Sequence, residues 1–138
     1  MHHFVQYHNP QKRGGYRPGG FGMVTDKPVD SIIGDRIWRV TKAGRPQRYC
    51  LCESFVVEQV GSASNDSKLH RAWAKTGLSF VPPTPIDSEV WFKKLLRAAG
   101  NFGFGLQRIK DVQVVSGLMR ILNDQQSRLA PANREFHL

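Results

Sequence analysis

Cysteine is nearly absent from this sequence. There are two, Cys50 and Cys52, which excludes a disulfide framework, and two thiols alone make no zinc site. They stand two apart in an expected strand, so both point to one face. Reduced thiols suit a reducing compartment. Long apolar runs are also missing: nothing approaches the ~18–20 residues a membrane span needs. Met1 to Tyr7 lacks the layout of a signal peptide. These absences point to a cytoplasmic protein with no membrane partner. Acidic residues are scarce, 11 against 20 Lys and Arg, for a formal net charge of +9 over 138 residues. An excess of that size speaks about partners rather than fold. Its natural complements are polyanions: DNA, RNA or an acidic membrane surface. The alternative is a basic surface without a specific ligand.

Motifs of catalysis are lacking too. No Gly-x-Ser-x-Gly elbow is present, and neither cysteine stands in a recognisable Cys/His context. The five histidines, His2, His3, His8, His70 and His137, form no His-x-x-x-His pair with a nearby acid. The run Gly100-Asn101-Phe102-Gly103-Phe104-Gly105 lacks the Lys-Ser/Thr of a phosphate loop and opens no βαβ unit. The acidic residues are scattered singly, with no adjacent pair for two-metal hydrolysis. No catalytic residue, metal site or cofactor is therefore expected. The enzymatic alternative is a small nuclease or RNA-acting enzyme using His8 or His70 beside a basic residue.

What the chain does have is apolar bulk. Forty per cent of it is hydrophobic, with eight Phe, three Tyr and three Trp, enough for the core of one α+β domain spanning residues 1–138. His2 to His8 reads as a strand, stopped by Asn9-Pro10. Residues 9–23 hold five glycines and two prolines and read as a loop, with Lys12, Arg13, Tyr16, Arg17 and Phe21 interleaved. Asp35 to Lys42 and Gln47 to Val60 flank a turn at 43–46 and read as a hairpin. The longer arm is apolar on both faces at Leu51, Phe55, Val56 and Val57, so it is buried on both sides or carries a bulge. Phe55, Val57 and the helix stripes are expected in one core. Gly61 to Arg71 is polar and reads as a loop, and Leu78 to Val81 as a short strand.

Thr84-Pro85-Ile86-Asp87 has the composition of a helix start. That helix would run to Ala99 with Val90, Trp91, Leu95 and Ala98 as its apolar stripe. Val114, Val115, Leu118, Ile121 and Leu122 give a second helix over 112–124, with a fraying tail from Ser127.

Basic and aromatic residues recur together: Tyr7, His8 and Asn9 with Lys12, Arg13, Tyr16 and Arg17; Arg36, Trp38, Arg39, Lys42, Arg45, Arg48 and Tyr49; His70, Arg71, Trp73 and Lys75. Aromatic faces stack on bases and cations neutralise phosphates. The plain alternative is that each Trp is core. The segment Gly34-Asp35-Arg36-Ile37-Trp38-Arg39-Val40, a turn, Arg48-Tyr49-Cys50-Leu51 and Val56-Val57-Glu58-Gln59-Val60 resembles the central hairpin of EVE domains, in the PUA-like group with YTH and ASCH domains. Phe4 to Asn9 matches their opening strand, and the resemblance covers about residues 3–122. The tryptophan that follows the first loop in many members has no clear equivalent; Tyr16 or Phe21 stands nearest.

The resemblance implies a PUA-like curved β-sheet or barrel with packed helices, and a pocket for a modified base of DNA or RNA. A flipped nucleotide would enter between the end of the first strand, the glycine loop and the hairpin. The base-binding residues would be Tyr7, Asn9, Tyr16, Trp38 and Trp73. Lys12, Arg13, Arg17, Lys42, Arg45 and Arg48 would hold phosphates. The function so implied is nucleic-acid binding with recognition of a modified base. A basic protein-interaction module is the further alternative.

Overall fold

The computed structural model describes residues 1–9, 20–62 and 68–135. Two neighbouring amides fix its architecture. The Val57 N–H donates to the Asp35 carbonyl at 2.8 Å, and the next one, Glu58, donates to the Trp73 carbonyl at 3.0 Å. The chain thus leaves one sheet and enters another within a single residue. The long hairpin arm expected over 47–60 is accordingly two strands: β4 (Arg48–Val56) and β5 (Gln59–Ser62).

Among the described residues the strands form two sheets. The larger adds β1 (His3–Tyr7), β3 (Arg36–Ala43), β7 (Leu78–Pro85) and β8 (Gln107–Ile109) to β4, in the order β7-β4-β3-β1-β8. The smaller has the order β2-β6-β5, with β2 (Phe21–Thr25) and β6 (His70–Ala74). β3 and β4 pair antiparallel, as the hairpin pattern requires, while β1 lies parallel to β3. Gly34 opens β3 at φ +88°, a turn that disfavours any side chain. Asp35 then accepts the His2 N–H at 2.9 Å and ties the start of β1 to β3. The bulge falls in β4, where the register slips at Cys52.

The central strands β3 and β4 are covered on both sides. Val5, Trp38, Val40, Leu51 and Phe80 pack with the helices α1 (Phe92–Ala98) and α2 (Val112–Glu135). Ile37, Phe55 and Val57 pack instead with Met23, Ala72 and Ala74 of the small sheet. The order of layers is helices, large sheet, small sheet. Phe55 and Val57 therefore do not share a core with the helix stripes. The two groups are separated by the sheet itself: Ile37 and Trp38 alternate on β3, and on β4 the extra residue at Cys52 turns Phe55 to the face opposite Leu51.

Three further expectations are corrected. Thr84 and Pro85 start no helix: they close β7, opposite Leu51 and Cys50. A strand holding Pro82, Pro83 and Pro85 is tolerated because β7 is an edge and needs few of its N–H groups for pairing. The helix begins only at Phe92, and its buried face is Trp91, Phe92, Leu95 and Ala99, with Val90 84 % exposed and Ala98 outward. Second, strand pairing begins inside both expected loops, at Phe21 and at His70, and holds Gly61 and Ser62 in β5. Third, the second helix runs on to Glu135. Its start is set by Asp111, whose Oδ1 accepts the N–H groups of Gln113 and Val114 at 2.8 and 3.2 Å.

Gly117 looks out of place inside α2 until Trp91 is considered. A Cβ at 117 would overlap the Trp91 indole, so the glycine is the groove that seats the ring. Alanine favours a helix by about 1 kcal/mol over glycine, yet Gly117→Ala should lower stability by about 1–3 kcal/mol, the usual cost of overpacking. A denaturant midpoint unchanged or raised in this variant would mean that the ring is not seated there.

Candidate nucleic-acid interface

Among the described residues, the expected base-binding side chains do not converge on one pocket. Trp38 is 0 % exposed. It lies between β1 and β4 on the helix side, stacked on His3 with centroids 6.1 Å apart, and its Nε1 donates to His3 Nδ1 at 2.9 Å. That bond makes His3 Nδ1 an acceptor, and burial, followed by the charge of Arg36, lowers the imidazole pKa from its ordinary value. An indole enclosed on all sides has no face for a base, so Trp38 is a core residue and its assignment to a pocket is corrected.

Tyr7 lies at the far end of β1 in an aromatic cluster. Its ring stacks on Phe102 at 6.0 Å and meets Tyr49 edge-on at 6.4 Å. Tyr49 lies 5.2 Å from Phe102 and 5.5 Å from Phe92. The Lys42 ammonium stands 5.0 Å from the centre of the Tyr49 ring. Phe102 is held at φ +63° and Asn101 at +56°, a conformation that costs a non-glycine residue about 1–2 kcal/mol. Tyr49 and Phe102 were not among the expected pocket residues. The signal for Phe102 was its position in a glycine run that no helix or strand can use.

Trp73 is placed differently. Its neighbours Ala72 and Ala74 face the core, so its own side chain lies on the outer face of the small sheet, half-buried. Gly22 and Gln59 flank it in register, and the edge of the indole extends over Gly61. The Arg71 guanidinium lies 4.7 Å from the ring centre. The core makes no use of this outer ring, and the flanking glycines leave its surroundings flat.

The expected phosphate contacts also divide. Lys12, Arg13 and Arg17, with Tyr16, lie outside the described residues. Lys42 and Arg45 are exposed. Arg48 is engaged within the chain: its Nε and Nη2 both donate to Asp87 Oδ1, at 2.9 and 2.6 Å, and Nη2 reaches Ser88 Oγ at 3.3 Å. The hydrogen bond to the guanidinium lowers the Asp87 pKa and raises that of Arg48. Asn9 follows β1 and is partly exposed.

His8 and His70, the histidines of the enzymatic alternative, stand apart. His70 pairs in register with Thr25 and Ser62. His8 Nδ1 is 2.7 Å from Arg39 Nη2, and Arg39 Nη1 donates to Glu53 at 2.7 Å and to the Gly22 carbonyl at 3.1 Å. Arg39 is thus a strut between the two sheets. Among the described residues no three His, Cys, Asp or Glu side chains group closely enough to hold a metal ion. Both thiols are free, and burial pushes Cys52 up to about 12, far from a reactive thiolate. Among the same residues no helix is long and apolar enough to cross a membrane.

No family model, curated protein or solved structure matches the chain.

Proposed function

We propose that this chain is a nucleic-acid-binding domain of PUA-like, EVE type, in which a base stacks on Trp73 while basic side chains hold the backbone. The observation that carries the reading is the outward indole of Trp73 under Arg71, on a sheet face cleared by Gly22 and Gly61. Stacking on an aromatic face is tolerant of sequence, and an arginine beside it supplies both charge and a second planar surface. The net charge of +9 supports the same partner.

Residues 10–19 join the end of β1, beside the Tyr7 cluster, to the start of β2, beside Trp73. That connection carries Lys12, Arg13 and Arg17. In this reading they are phosphate contacts shared by both aromatic surfaces, and the Tyr7–Tyr49–Phe102 cluster under Lys42 is where a modified base would be distinguished.

The test is salt dependence. Affinity for a single-stranded oligonucleotide should fall on a log–log plot with a slope of about −0.7 per phosphate engaged. Arg13→Ala with Arg17→Ala should weaken all sequences about equally and flatten that slope, since phosphate contacts position the ligand without specifying it. Affinity that does not change between low and physiological salt would point to a different partner.

A further inference from the structure

Arg36 has no use in the surface just described. It starts β3 on the helix side of the large sheet, two residues before Trp38, and its guanidinium carbon lies 5.6 Å from the Trp38 ring. Its Nη1 donates to Ser54 Oγ at 3.0 Å. That hydroxyl is itself buried and donates onward to the Ile37 carbonyl at 2.9 Å. The Arg36 Nε is buried and has no hydrogen-bond partner among the described residues.

No carboxylate among those residues forms an ion pair with Arg36. The two nearest in sequence or across the cavity are engaged elsewhere. Asp35 accepts the His2 amide, and Glu58 Oε1 accepts the amides of Lys75 and Thr76 at 2.8 and 3.5 Å. Burial alone lowers the Arg36 pKa from its ordinary value, with no opposing charge to restore it. A partly desolvated cation without a counter-ion is a standing electrostatic cost.

Arg36 also lines a surface cavity of about 410 Å³, with Val56 and Leu78 on its apolar side and Thr76, Gln126 and Glu58 on its polar side, the Glu58 Oε1 being taken by the Lys75 and Thr76 amides. That is the size of a small-molecule site, and Arg36 is the one cation among its lining residues. We propose that this cavity binds a small oxyanion, a carboxylate or phosphate carried on an apolar body, with Arg36 as its counter-ion. The guanidinium fork suits either group, and the apolar body rests against the partly exposed Val56 and Leu78.

Benzoate and phenyl phosphate are the two probes, followed by thermal shift and by amide chemical shifts of residues 54–58 and 76–78. At least one should raise the melting temperature saturably and move those amides, and the stronger probe identifies the anion. Arg36→Met should reduce the affinity at least tenfold, with Arg36→Lys intermediate because it keeps charge but loses the fork. Thr76→Trp, at an exposed position, should block the cavity in a protein that keeps its fold. The proposal is overturned if neither probe binds the wild-type protein, or if binding persists unchanged in both Arg36→Met and Thr76→Trp. Trp73→Ala should leave probe binding intact, which separates this site from the nucleic-acid surface.

Discussion

Trp38→Ala is expected to cost about 3–5 kcal/mol of folding stability, the range for truncating a buried aromatic. The ring is fully enclosed among Val5, Val40, Leu51 and the helices, and the neighbouring elements cannot collapse into the space because β1 and β4 are held by their own pairing with β3 and β7. The loss also leaves His3 Nδ1 without the indole N–H. Trp38→Phe keeps most of the packing and removes only that donor, so it should cost much less. Denaturant unfolding of the two variants measures both. A Trp38→Ala protein as stable as the wild type, yet weak in oligonucleotide binding, would return the indole to the binding surface.

Trp73→Ala is expected to do the reverse. Stacking of one base on an aromatic ring is worth about 1–3 kcal/mol, so affinity for a single-stranded oligonucleotide should fall roughly ten- to a hundred-fold. Stability should change far less than for Trp38, because the ring rests on the outside of the small sheet and not between layers. In the wild-type protein the oligonucleotide should quench tryptophan fluorescence, and the quenching should vanish in Trp73→Ala. Equal affinity of wild type and variant at low and moderate salt would sink the assignment of Trp73.

The contrast between these two tryptophans marks how far the sequence could be read. Both follow a basic residue by two positions on a strand, Arg36 before Trp38 and Arg71 before Trp73, and both have an arginine against the ring. Local pattern cannot separate them. The difference is which layer the strand belongs to: β3 is central in the large sheet, whereas β6 is central in a small sheet that, among the described residues, packs on the core by one face. The hairpin and the period of α2 were legible because each rests on contacts local in sequence; the apolar run of the long arm called for burial on both sides or a bulge, without placing the slip at Cys52. The switch between sheets at Val57 and Glu58 was not. It depends on acceptors supplied by Asp35 and Trp73, residues far along the chain. The false helix start at Thr84 has a different cause. Pro85 and Asp87 suit a first helical turn, but they suit an edge strand and a partner for Arg48 as well, and tertiary pairing decided between them.

The prolines of β7 have a consequence for how copies of this chain meet one another. A long sheet edge exposes a row of donors and acceptors to which another chain can add a strand. Here Pro82, Pro83 and Pro85 occupy that edge, and none has an N–H to offer an incoming backbone. An added strand would find acceptors without the matching donors and would gain few bonds per residue. At this margin the large sheet is therefore closed to polymerisation by strand addition, so copies of this chain cannot extend it edge to edge.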